Sequence, residues 1–172
     1  MNELLAYDVW SDRYELLYRC RFSRIYYQKR ERFFEFCERL STGLALVASM
    51  VNIWLIFGSN DFARCLSLII IILLFILGIH CTNKAHTHAG FVNVFRDIEA
   101  DIDAAVILTG EKVDRFLAKI LRVKLREPRT LGALVRICQN EIALARGNKQ
   151  DIRPVPFFKK LFAHFYDWKL AP

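Results

Sequence analysis

Few residues of this chain stand at spacings from which chemistry is built. His80, Cys81, His86 and His88 crowd one stretch, and imidazole with thiolate is a zinc-type donor set. On a helix Cys81 and His88 lie two turns apart, about 10 Å, too far to share an ion. His80 and His88 do share a face, but Lys84 stands between them. Titratable groups that sense pH are the remaining reading of this cluster. Asp97, Glu99, Asp101 and Asp103 alternate as a calcium loop begins. The loop then fails, with Ile102 where its turn glycine belongs and Leu108 where its bidentate glutamate belongs. On a helix these carboxylates form i,i+4 pairs, a solvated face or a contact for a basic arm. No Gly-x-Ser-x-Gly, His-Glu-x-x-His or Walker pattern is present. The expectation is a protein without catalytic residues, metal or cofactor.

Two non-catalytic constellations remain. Arg115, Lys119, Arg122 and Arg126 recur at i, i+4, i+7 and i+11, with Arg129 and Arg136 following nearby. Arginine favours bidentate contact with phosphate, so this stripe is the candidate anion or nucleotide site, against the alternatives of a solvated face or lipid headgroup contact. Ser41, Ala45, Ser49 and Asn52 lie three or four apart on an otherwise apolar run. Small and polar residues at that spacing serve a close helix–helix interface or, in an oligomer, the wall of a pore.

The elements that carry these residues follow from how the apolar residues are distributed. Of 172 residues, 54% are apolar and 25% charged, which excludes disorder, and seven Gly and four Pro exclude collagen-like and low-complexity chains. The apolar excess is concentrated in Leu40–Phe57 and Ala63–Ile79. A helix rising about 1.5 Å per residue needs about 20 residues to cross roughly 30 Å of hydrocarbon. Spans are expected at 40–58 and 63–82, joined by the short turn Gly58-Ser59-Asn60-Asp61-Phe62. Between residues 40 and 83 the only basic residue is Arg64, although the chain carries 25 Lys and Arg against 18 Asp and Glu, a net charge of +7. Basic residues collect on the cytoplasmic side, so both termini are expected there. The five cysteines are odd in number and form no Cys-x-x-Cys pair, which fits reduced thiols.

The spacing predicts a long arm helix over 1–39, uninterrupted from Asp12 to Arg39. Tyr26, Tyr27, Phe33 and Phe34 near its membrane end read as an interfacial aromatic belt or a protein contact. After the second span, 83–172 reads as a cytoplasmic helical region. Helix continues to Leu108 with Gly110 as its stop, Glu111–Arg126 follows, and Leu131–Arg146 is capped by Thr130 and ended by Gly147. An amphipathic helix over 157–170 closes the chain, placed against the inner leaflet or on the body's own core. The fold class is therefore all-α: an integral membrane two-helix hairpin with an N-terminal arm and C-terminal cytoplasmic helices.

The arm Arg19-Cys20-Arg21-Phe22 through Arg39-Leu40-Ser41, the tight hairpin, and the tail's Cys138-Gln139-Asn140-Glu141-Ile142-Ala143 and Phe157-Phe158-Lys159-Lys160 together resemble the SLATT family. These are bacterial two-transmembrane effectors associated with nucleotide-generating and nucleotide-sensing defence genes. The resemblance covers nearly the whole chain and rests more on architecture than on any signature. It implies a homo-oligomeric, pore-forming effector of the bacterial inner membrane that acts against phage. Its signal would be a nucleotide, a single-stranded oligonucleotide or a cognate nucleotide-producing enzyme. The residues themselves leave two alternatives open: a non-conducting anchor or scaffold that recruits a cytoplasmic partner, and a holin-like lesion former.

Overall fold

A computed structural model describes residues 2–55, 61–105 and 108–168. The described residues are helical or irregular, with no strand. The helices are α1 (Asn2–Leu55), α2 (Asp61–Ala104), α3 (Gly110–Lys124), α4 (Gly132–Ala145) and the short α5 (Phe157–Leu161), with one 3₁₀ turn at Lys149–Asp151. The long α1 and α2 reflect the absence of proline from both and the rarity of glycine within them. Buried positions on α2 recur at steps of three and four: Gly78, Cys81, Ala85, His88, Val92, Phe95, Ile98 and Ile102. That is the seam of a helix packed along one face.

The chain divides into two compact units, residues 29–89 and residues 1–28 with 90–172. Most of the expected arm, residues 1–28, thus packs with the C-terminal region. In the unit 29–89 the two helices run antiparallel. Phe34 stacks on His88 with ring centroids 5.4 Å apart, Ser41 meets Gly78, and Asn52 donates to Ser67. A Cβ at Gly78 would stand 3.1 Å from Ser41 Oγ, so the glycine permits the close approach. The Gly58–Asn60 turn and the Ile56–Phe57 end of the first apolar run lie outside the described residues. Asp61 and Phe62, expected in the turn, begin α2.

The unit formed by 1–28 and 90–172 holds a true core. Leu16, Cys20 and Tyr27 of α1, Phe95, Ile98 and Ile102 of α2, Ile120 of α3, and Leu134 and Cys138 of α4 are all buried together. Tyr26 and Tyr27 belong here. Tyr26 Oη accepts from the Leu131 amide at 3.1 Å, and Tyr27 lies parallel to Phe95. They are core residues rather than an aromatic belt. Glu99 answers the basic arm, with Arg21 at 2.7 Å and Arg24 at 3.3 Å on its two oxygens.

Four element ends differ from the sequence expectation. Helix α2 stops at Ala104 rather than running to Leu108, and Arg13 donates to the Asp103 and Ala105 carbonyls at that end. Gly110, expected as a stop, is the first residue of α3. Leu131 rather than Thr130 occupies the N-cap of α4, where no side chain caps the helix. The helix expected over 157–170 is a single turn, Phe157–Leu161, followed by turns. Beyond it, Asp167 accepts from the Gly132 amide at 3.0 Å and Ala163 is buried, so the tail folds back on α4. The 169–170 end of the expected helix lies outside the described residues.

Candidate functional site

The apolar surface of the unit 29–89 is its dominant feature. Helix α2 has a mean hydropathy of 2.8 over its most apolar 18-residue stretch, and only 6% of that stretch is buried. Leu68, Ile69, Ile72, Leu73, Phe75 and Ile76 are all exposed, as are Leu44, Leu46, Val47, Met50 and Ile53 on α1. A contiguous exposed apolar face of this length marks a surface that meets a protein partner or a membrane. Among the described residues α2 is the one helix long and apolar enough to cross a membrane.

The polar seam of α1 faces α2. Ser41 and Ala45 are buried, Ser49 donates to the Ala45 carbonyl at 2.7 Å, and Asn52 donates to Ser67. Ser67 in turn donates to the Arg64 carbonyl, so the hydroxyl serves both partners. All four seam residues thus stand on the contact face within one chain.

The basic stripe is less continuous than its spacing suggests. Arg115 pairs with Glu111, and Lys119 with Asp101 at 2.8 Å, so two of its charges are answered by carboxylates. Helix α3 ends at Lys124, which leaves Arg126 and Arg129 outside the helical face that holds Arg115, Lys119 and Arg122. Arg122, Arg126 and Arg129 are exposed.

Of the histidine cluster, His80 and His86 are exposed, while His88 is only 2% exposed and stacked on Phe34. Among the described residues no three metal-ligating side chains gather. Burial first, then the charges of Arg30 and Lys84, lower the His88 pKa to about 4. The unfolded imidazole titrates near 6.5, so between the two values the unfolded chain binds more protons. Stability contributed by the neutral ring is present above about 6.5 and is lost as pH falls toward 4. The expected loss is about 2–3 kcal/mol at pH 4. Thermal melts in detergent across this range should show it, and His88→Phe, which keeps the stack, should melt with that part of the pH dependence removed. An unchanged profile would place the dependence elsewhere. Cys20 is equally quiescent, its thiol pushed up to about 11 by burial and then by Glu99, so it stays protonated.

A polar cavity of about 830 Å³ opens in the unit formed by 1–28 and 90–172. Tyr14 and Tyr18 of α1 form one side, and the Arg146 guanidinium lies 4.7 Å from each ring centroid. The other side is the second half of α4 and the segment behind it. A Schellman motif ends α4: the Asn148 amide reaches the Ala143 carbonyl and the Gly147 amide reaches that of Leu144, with Gly147 at φ +76°. Asn140 then holds the returning chain in both directions, donating to the Arg153 carbonyl at 2.6 Å and accepting from its amide at 3.0 Å. Arg136, Arg146 and Arg153 all line the cavity, facing Glu15 and Asp151. Glu15 is paired with Arg19. Sequence reasoning missed this place because its residues come from two segments more than a hundred positions apart. Tyr14 and Tyr18 have the i,i+4 spacing of any amphipathic helix face, and the arginines are dispersed rather than periodic.

No family model matches the chain, no curated protein matches it in sequence, and no solved structure matches it.

Proposed function

We propose that the protein is an oligomeric effector of the bacterial inner membrane, anchored by a two-helix hairpin with both termini in the cytoplasm. Its spans form a gated pore in antiphage defence, controlled by a nucleotide-derived or oligonucleotide signal received by the body built from 1–28 and 90–172. The observation that carries the membrane assignment is the exposed aliphatic surface of α2, continued on α1. A lipid surrounding accounts for such a surface. The resemblance to the SLATT effectors supports the defence role and the nature of the signal.

The polar seam supports conduction. Asn52, Ser49 and Ser67 place hydrogen-bonding groups within an apolar span, where they are costly unless paired or wetted. In one chain Asn52 is paired with Ser67, and Ser49 with the Ala45 carbonyl of its own helix. In the conducting oligomer the hairpin helices turn, so that the seam faces a shared lumen. The same closed seam favours a second reading, a non-conducting anchor in which these groups serve packing alone.

Ion flux through liposomes that hold the purified protein separates the two. Asn52→Leu removes one seam donor while Ser67 keeps its bond to the Arg64 carbonyl, so the hairpin still packs. The pore reading expects ligand-switched flux in the wild type and a loss of at least about tenfold in Asn52→Leu, with insertion intact. Equal flux in both would move the lumen away from the seam. An inserted, oligomeric wild type that passes no ions under any nucleotide or oligonucleotide would leave the anchor.

A further inference from the structure

We infer that the cavity between Tyr14, Tyr18 and Arg146 is a nucleotide site that takes a flat base together with its phosphate. The inference deepens the proposed function and rests on its reading that the body receives a nucleotide-derived signal. It assigns that signal a place other than the basic stripe of α3.

Size, charge and shape each narrow the occupant. A cavity of about 830 Å³ falls within the range that holds a drug-sized ligand. An inorganic anion would fill a small part of it. The lining is polar, with amides and guanidinium groups, so it does not suit an acyl chain. Arg146 and Arg153 in the wall outnumber Asp151, since Glu15 there is paired with Arg19. The balance therefore favours an anion.

The aromatic side makes the difference between a bare phosphate and a nucleotide. The Arg146 guanidinium sits against two tyrosine rings at equal distance, which holds its plane by cation–π contact. Its N–H donors radiate in that plane, so contact with the rings does not consume them. An Arg held on aromatic rings beside further arginines offers a surface on which a base stacks and donors that a phosphate accepts. Gln139 and Gln150 in the same wall bring amide donors and acceptors of the kind that read base edges. The Asn140 clamp on the Arg153 backbone makes this side of the cavity part of the fold rather than a loose loop.

The test is calorimetric titration of the full-length protein in nanodiscs, with bilayer insertion verified on the same sample. The probes are the four ribonucleoside monophosphates, their 3′,5′-cyclic forms, adenosine and inorganic phosphate. The expected result is binding of at least one nucleotide, with adenosine and inorganic phosphate each at least tenfold weaker. Arg146→Gln should weaken that nucleotide at least tenfold, and Tyr14→Leu, which keeps apolar bulk at an exposed position, about fivefold or more. The paired reversals Arg122→Glu and Arg126→Glu should leave binding unchanged. Inorganic phosphate binding as tightly as any nucleotide would overturn the role of the base, and adenosine as tight as AMP would overturn the role of the arginines. An inserted protein that binds none of the probes would overturn the site and leave the membrane assignment standing. Binding by a protein that does not insert would do the reverse.

Discussion

Ile69→Arg combined with Leu73→Arg removes the protein from the membrane fraction. The two positions lie one turn apart on the exposed face of α2, inside its most apolar stretch. Each arginine near the centre of a span opposes insertion by about 2.5–3.5 kcal/mol. Together they cost about 5–7 kcal/mol, enough to shift a population from inserted to excluded. The same charge at Thr87, an exposed position beyond the apolar run, should leave partitioning as it was. Alkaline extraction of membranes followed by immunoblotting reads the difference. If the doubly substituted chain stays in the pellet as fully as the wild type, the aliphatic face of α2 does not meet lipid.

Phe95→Ala has the largest expected effect outside the span. Phe95 is 0% exposed, lies parallel to Tyr27 at a centroid distance of 6.1 Å, and joins a core fed by four helices. Removing a buried phenyl ring loses its transfer free energy and leaves a cavity that the surroundings fill only in part, a cost of about 3–5 kcal/mol. Domains of this size are stable by about 5–15 kcal/mol in total, so the variant should sit near its unfolding threshold. Denaturant titration followed by far-ultraviolet circular dichroism would report it. A loss below about 1 kcal/mol would mean that the ring is not packed as described.

What was legible in the sequence was whatever depends on local pattern. The run Leu66–Leu77 is apolar whatever it packs against, and the stretches without Pro or Gly made the long helices plain. The Gly147 stop of α4 was legible for the same reason, since a positive φ after a helix favours glycine. Tertiary context decided the rest. Nothing local tells that Arg13 reaches the carbonyls at the end of α2, so Gly110 passed for a stop. Tyr26 and Tyr27 sit in a stretch that suits an aromatic belt equally well, and only their packing on Phe95 and Leu131 makes them core. The amphipathic pattern after Phe157 is real, but docking of Asp167 on Gly132 turns the chain back. The candidate site was the least legible. Its two walls are distant in sequence, whereas the periodic basic stripe, easy to see, is half neutralised by Glu111 and Asp101.

The proposed hairpin leaves both ends of the chain on one side of the membrane. Its most direct test compares tags at the two termini in intact spheroplasts and in inverted inner-membrane vesicles. Both tags should be shielded in spheroplasts and both cut by protease in inverted vesicles. Tags on opposite faces would mean that α2 crosses alone, and would contradict the hairpin and the function proposed for it.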